Sequence, residues 1–287
     1  MSRRNNCKRE GVVGAILAFP DGILTLCCFA VPLVVIVLYS FWKIDLTTFT
    51  VTTNWNLGNY GDIFKSIYLQ ALLRSILITL ATVVGCLLLG LPIAYFIASC
   101  KGKLQLLMIG AIVIPFWTSF VVRTYAWLEL LGAHGVITQA LVHMHLVADG
   151  TDLRYSTTAV IIGMVYSYLP MMILPVYSTF EQLDQPLLEA AADLGKTPSQ
   201  AFFQIVMPSC GGGIVAGSLL VAIPALGEYT IPAILGGSKT LMIGNVIASE
   251  FQTTGNYPRG AALSSVLMVA VLLIIIGKQI MQWRKVR

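Results

Sequence analysis

Long apolar runs alternate with short polar stretches along the whole chain. Windows of about 20 residues with few charges fall at 22–42, 75–99, 104–128, 157–180, 211–235 and 261–281. Each is long enough for a helix to cross the hydrocarbon layer of a bilayer, so the pattern predicts an all-α polytopic membrane protein with six transmembrane helices. The gaps, at most about 30 residues, are too short for a separate folded domain. The chain, 1–287, is therefore expected as a single transmembrane domain.

Composition strengthens the membrane assignment. Hydrophobic residues make up 57% and charged residues 11%, against about 25% charged in a soluble protein, and the mean hydropathy is +0.82. Arg3, Arg4, Lys8 and Arg9 precede the first run, as in a secretory signal. That run, however, extends from Gly11 to Trp42 with an interruption at Pro20-Asp21, far longer than the ~7–15 residue core of a signal, so it reads as a retained anchor.

Charge in the loops sets the orientation. With the N-terminus inside, the inner segments hold eleven cations (Arg3, Arg4, Lys8, Arg9, Lys101, Lys103, Lys196, Lys278, Arg284, Lys285, Arg287) and the outer ones six (Lys43, Lys65, Arg74, Arg154, Lys239, Arg259). The excess places both termini and the loop around Lys196 in the cytoplasm. It also accounts for the net charge of +5 without a nucleic-acid partner.

Catalytic chemistry finds little support. The six cysteines (Cys7, Cys27, Cys28, Cys86, Cys100, Cys210) show no CxxC spacing and read as small apolar fillers. His143 and His145 lack partners at metal-ligand spacing. Neither a GxxxxGK[ST] nucleotide loop, nor a nucleophile elbow, nor HExxH is present, so the chain is expected to be no enzyme and to hold no cofactor or metal of its own.

The most informative polar segment lies between the fourth and fifth runs. Residues 189–208 read EAAADLGKTPSQAFFQIVMP. The stretch up to Leu194 favours helix, and Gly195 is suited to end it in the left-handed conformation. Thr197 can cap a second helix with Pro198 at its first position, and Pro208 closes it. A helix, turn, helix across one membrane face is expected.

Glu189, Ala190, Ala191, Gly195, Ile205 and Pro208 stand in the register EAA-x3-G-x9-I-x-L-P, with Met207 in place of Leu. This resembles the EAA loop of bacterial ABC importer permeases. The resemblance implies a type I, MetI-like permease fold, with 181–210 as the cytoplasmic coupling loop through which a separate ATPase delivers force. A second resemblance is carried by LGNYGDIF (57–64), IPFWTSFVVRTYAW (114–127), PALGEYTIPAILGG (224–237) and LMIGNVI (241–247). These are similar to the membrane subunits of spermidine/putrescine importers, over residues 22 to 275. That likeness implies translocation of a polyamine by alternating access. It further implies a second, homologous permease as heterodimer partner, two copies of a cytoplasmic ABC ATPase that bind ATP and Mg, and an external solute-binding protein. Relatives in the wider group handle thiamine, ferric iron or opine-like compounds. The residues alone do not separate spermidine from putrescine or from these.

Charges inside a bilayer are costly and mark function or pairing. Asp21, Arg123, Glu129 and Glu228 are the candidates. Glu228 lies between Pro224 and Pro232, which loosen a helix and free carbonyls toward a cavity, and is the strongest candidate to meet an ammonium group. Arg123 either neutralises Glu129 or Glu228 between helices or faces the pathway; both readings stay open. Trp117, Tyr125, Trp127, Tyr166, Tyr168 and Tyr229 could offer π faces to a cation, although belt or packing roles fit Trp127 and Tyr229. Tyr166 and Tyr168 cannot share one helix face. Pro115, Pro170, Pro175, Pro224 and Pro232 are expected to interrupt the third, fourth and fifth spans, as in a bundle that rocks around a cavity. The competing class, a self-sufficient secondary transporter, calls for internal repeats or an intramembrane carboxylate pair, and neither is evident.

Overall fold

The second apolar run forms a helix that outlasts its own span. In the computed structural model, which describes residues 22–45, 48, 50–183, 193 and 195–285, α3 (Ser66–Ser99) has 34 residues, about 50 Å of helix. The expected start at 75 is too late, because nothing between Ser66 and Arg74 stops a helix. Pro92 lies inside α3 without breaking it.

Two units make up the chain: Ser66–Val246, and the flanking stretches. The first contains α3, α4 (Lys103–Val113), α5 (Phe120–Leu130), α6 (Val136–His143), α7 (Thr157–Glu181) and α8 (Gly211–Leu226). Its core is the mutual packing of α3, α7 and α8. On α8 the buried positions recur every fourth residue, Gly213, Gly217, Val221 and Ala225. A Cβ on Gly213 would meet Pro175 O at 2.8 Å, and one on Gly217 would meet Met172 Sδ at 2.9 Å. The pair of glycines four apart thus lets α8 settle against the α7 backbone, as small residues do between membrane helices.

The prolines behave differently from expectation. α7 runs unbroken for 25 residues through Pro170 and Pro175, so the fourth span is not interrupted. Its buried face, from Val160 through Met164, Ser167 and Tyr168 to Met172, Ile173 and Val176, is gripped by neighbours on both sides. The third span does break, and so does the fifth, but not at Pro224, which lies inside the unbroken α8. Lys103–Trp117 and Phe120–Leu130 meet at 96°, and Phe202–Ser209 meets Gly211–Leu226 at 61°. Among the described residues four helices are long and apolar enough to cross a membrane, or six if each bent pair counts as one span. The expected fifth span, 211–235, is corrected at its far end. Helix α8 stops at Leu226, irregular backbone follows at 228–229, and a π-helical turn occupies Pro232–Gly236. Helix α9 (Ile243–Gln252) begins at the end of this unit.

In the other unit, α1 (Gly22–Ser40) is a candidate span. It leads into a hairpin of β1 (Lys43–Asp45) and β2 (Thr50–Thr52), antiparallel with Ile44 opposite Val51, and then α2 (Gly58–Asp62). Asn59 Nδ2 donates to the carbonyls of Ser40 (2.9 Å) and Trp42 (2.8 Å), satisfying acceptors left over where α1 ends. α10 (Tyr257–Lys285) is the last helix. At its start Arg259 pairs with Asp62 (3.0 Å), which also pairs with Lys65 (2.7 Å). The hydrogen-bonded Lys65 ammonium, with Arg259 beside it, holds the Asp62 carboxyl below the usual aspartate value of 3.8.

Candidate functional site

The break after α8 gathers several polar contacts within the apolar part of the Ser66–Val246 unit. Gly227 ends α8, and Glu228 turns its carboxylate onto the segment that follows. Oε1 accepts from the backbone N–H of Thr230 (2.8 Å) and Ile231 (3.3 Å). Glu228 thereby caps the short helical stretch that leads into the π turn, satisfying donors that have no intrahelical partner. From α7, Tyr168 Oη donates to Oε2 at 2.5 Å. Three donors occupy three of the roughly four acceptor directions of a carboxylate. One direction remains, on a half-buried side chain.

A second loop supports the first. Asn245 Nδ2 donates to Tyr229 O (2.8 Å), its Oδ1 accepts from Met242 N (3.2 Å), and Ile243 N donates to Ser75 Oγ on α3 (2.7 Å). Gly244 sits so close to the break that a Cβ would lie 2.5 Å from Gly227 O and 2.7 Å from Glu228 O. The LMIGNVI stretch thus props the irregular backbone at 227–229. Only an Asn after a Gly in this stretch hinted at that role, and sequence reasoning passed over Ser75, Gly244 and Asn245.

Arg123 is resolved differently from either sequence reading of its pairing. Among the described residues it forms no ion pair with Glu129 or Glu228. Its Nη1 donates to Pro115 O (3.1 Å), and its guanidinium lies 4.4 Å from the centroid of Phe116 and 5.9 Å from that of Phe120. Its buried Nε has no partner. The bend at Thr118–Ser119 is the reason, since it turns the 3₁₀ stretch Ile114–Trp117 back toward α5 and presents a carbonyl and a ring to residue 123.

The aromatic candidates divide. Tyr168 is buried at Glu228, while Tyr166 faces elsewhere, stacked on Phe116 (6.3 Å) and edge-on to Trp127 (5.3 Å). Trp117 and Tyr125 are 86% and 54% exposed and touch no other ring among the described residues. Glu129 and Tyr229 are exposed as well. The structure therefore brings Tyr168 to Glu228 and leaves the others outside that cluster. Asp21 lies outside the described residues.

Of the coupling-loop candidates, Glu189, Ala190 and Ala191 also lie outside the described residues. Gly195 has φ +76°, the left-handed backbone expected of it. Thr197 and Gln200 cap reciprocally, Thr197 N donating to Gln200 Oε1 (3.0 Å) and Gln200 N to Thr197 Oγ1 (3.4 Å), a capping box at the start of Pro198–Ala201. Ile205 sits in a π-helical turn, Phe202–Val206, and Pro208 in the short helix Met207–Ser209. Phe202 meets Tyr95 of α3 at 5.1 Å, and Tyr95 meets Phe180 of α7 at 5.7 Å. These edge-on rings tie the segment back to the helix core, a link that sequence spacing does not reveal.

Comparison with known proteins gives this geometry a context. Residues 90–283 match the family described as "Binding-protein-dependent transport system inner membrane component". The chain is 36% identical over 284 residues to the spermidine/putrescine transport system permease protein PotB of Salmonella typhimurium (strain SL1344), covering 99% of this chain and 96% of that protein. It is 40% identical over 217 residues to the PotB of Haemophilus influenzae, covering 76% of each. A crystal structure of a bacterial ABC transporter involved in the import of the acidic polysaccharide alginate superimposes with a TM-score of 0.69 at 18% identity, covering 99% of both chains. That last likeness speaks to the fold alone.

Proposed function

We propose, from the premise that the chain belongs to the family of binding-protein-dependent transport system inner membrane components, that its cargo is a polyamine of the spermidine/putrescine class. It is a permease subunit of the inner membrane. The observation that carries the choice of cargo is the 36% identity to a spermidine/putrescine permease across 99% of the chain. Glu228 supplies fitting chemistry. Its one open acceptor direction is aimed from a break in a membrane helix, and the attraction of a carboxylate for an ammonium grows as the effective dielectric falls.

In this reading the chain works beside a second, homologous and non-identical permease. Two copies of a cytoplasmic ABC ATPase bind ATP and Mg, and an external solute-binding protein delivers the amine. Both termini and the 181–210 loop face the cytoplasm. ATP-driven closure of the ATPases pushes on the loop at Glu189, Ala190, Ala191, Gly195, Ile205 and Pro208. The Phe202, Tyr95 and Phe180 rings pass the movement to α3 and α7, so that the bundle alternates between outward and inward openings.

Reconstitution of the assembled complex in proteoliposomes tests the cargo. Spermidine- or putrescine-loaded binding protein is expected to stimulate ATP hydrolysis and uptake of labelled polyamine. Stimulation by thiamine or ferric iron with none by polyamines would overturn the cargo and leave the family standing.

A further inference from the structure

At the end of the Ser66–Val246 unit where the coupling segment attaches, α3 and α7 both stop beside a cavity of about 290 Å³. The C-terminal turns of both helices form its wall, and each carries partial negative charge from its last carbonyls. Glu181 adds a full carboxylate. That carboxylate is held by Gln105, whose Nε2 donates to it at 3.3 Å and to Tyr177 Oη at 2.8 Å. Tyr95 and Phe180, packed edge-on, supply two aromatic rings to the same lining. Lys101 stands on the lining as its one cation and makes no ion pair among the described residues.

We propose that this cavity binds a protonated amine, as a second cation site distinct from Glu228. Glu181 and the two helix C-termini outweigh the opposing Lys101 ammonium and the positive N-terminal turn of α4 at Gln105, and a carboxylate beside aromatic rings is the chemistry that holds an ammonium. A linear amine with several ammonium groups can engage Glu181 with one of them and the C-terminal carbonyls of α3 with another. The identity of the amine rests on the polyamine reading above; the site itself rests on its lining. Val206 of the coupling segment and Gln105 of α4 complete the wall. An occupant therefore bridges α3, α4, α7 and the π turn, the parts that must move against one another when the coupling loop is pushed.

Cys100, half-exposed and part of the lining, is a reporter already in place. In the assembled complex in nanodiscs, with the other five cysteines replaced and Cys100 kept, its labelling by a small maleimide is followed with and without spermidine. At spermidine four times its dissociation constant, labelling is expected to slow about fivefold, and sodium chloride of matched ionic strength is expected to leave it unchanged. Glu181→Gln and, independently, Tyr95→Leu are expected to abolish the protection, with complex abundance monitored for each. Equal labelling with and without spermidine, or protection that survives both substitutions, overturns the site. Spermidine uptake by the same complex reconstituted in proteoliposomes separates the two ideas: uptake without protection removes the cavity site alone, and absence of uptake removes the polyamine reading.

Discussion

The two broken spans each carry one charge at the break, and they satisfy it in opposite ways. At 118–119 the positive Arg123 uses the Pro115 carbonyl, which the 3₁₀ turn presents and which also accepts from Thr118, and the faces of two Phe rings. At 227–229 the negative Glu228 uses two backbone N–H groups freed by the start of a new helical segment, together with a Tyr hydroxyl. Neither needs the other. A helix break offers both kinds of backbone group, donors on the side where a helix starts and acceptors on the side where one ends, so an intramembrane charge can be matched in large part by backbone without a counter-ion. The difference lies in completeness. Arg123 keeps a buried Nε without a partner, a fixed positive charge under aromatic rings, while Glu228 keeps only one open direction, which suits a passing cation.

The largest effect is expected where the Glu228 break is propped. Gly244→Val places side-chain carbon against two backbone carbonyls that cannot move aside, at a cost on the order of 3 kcal/mol. Membrane abundance of the variant, measured by immunoblot, should fall sharply, and near-normal abundance would mean that the 227–229 backbone is not held as described. Next comes the comparison of the two charges themselves. Glu228→Gln keeps an oxygen for the Thr230 and Ile231 amides and deletes the charge, so abundance should stay near normal while polyamine uptake drops about tenfold, roughly 1.4 kcal/mol. Arg123→Gln should neither rescue nor deepen that loss, the two changes adding within about 0.5 kcal/mol. Restored uptake or abundance in the double variant would reinstate an ion pair between them.

The smallest effect sharpens the comparison from outside the spans. Asp62, in the unit that holds α1 and α10, is satisfied by ions, Lys65 and Arg259, rather than by backbone. Its carboxyl is held below 3.8, so the clip contributes stability in full above that pH and loses it as the pH falls through the lowered value. Asp62→Asn should remove this acid limb and shift thermal stability only slightly at neutral pH, as expected for a partly exposed pair. An unchanged acid limb in thermal melts of the variant would show that the clip does not titrate with unfolding.

Much of the fold was legible because lipid imposes a length rule that apolar runs obey. Helices α1, α3, α7 and α10 each overlap an expected span. The 195–208 segment was legible at Gly195 and Thr197, where a positive φ and a cap are local properties of residue type. The proline reasoning failed for a physical reason. Pro170 and Pro175 sit in α7, gripped on both sides by α3 and α8, where packing holds the helix through the missing hydrogen bonds. Pro232 stands instead where Gly227 and Glu228 had already stopped the helix. The Arg123 pairing failed because charge complementarity considers side chains only, and here the partner was a backbone carbonyl turned inward by a bend.

Local composition and spacing suffice to make the chain a helical membrane protein and to mark the loop that carries the EAA pattern. Folding in three dimensions set which glutamate caps the broken helix, which tyrosine reaches it, and where the fifth span ends. Those outcomes depend on residues far apart in the chain: Tyr168 reaching Glu228, Ser75 reaching Ile243, and Gly244 admitting the 227–228 carbonyls. A hydrogen bond across sixty residues leaves no period in the sequence, because only the packing of α3, α7 and α8 brings its two ends together.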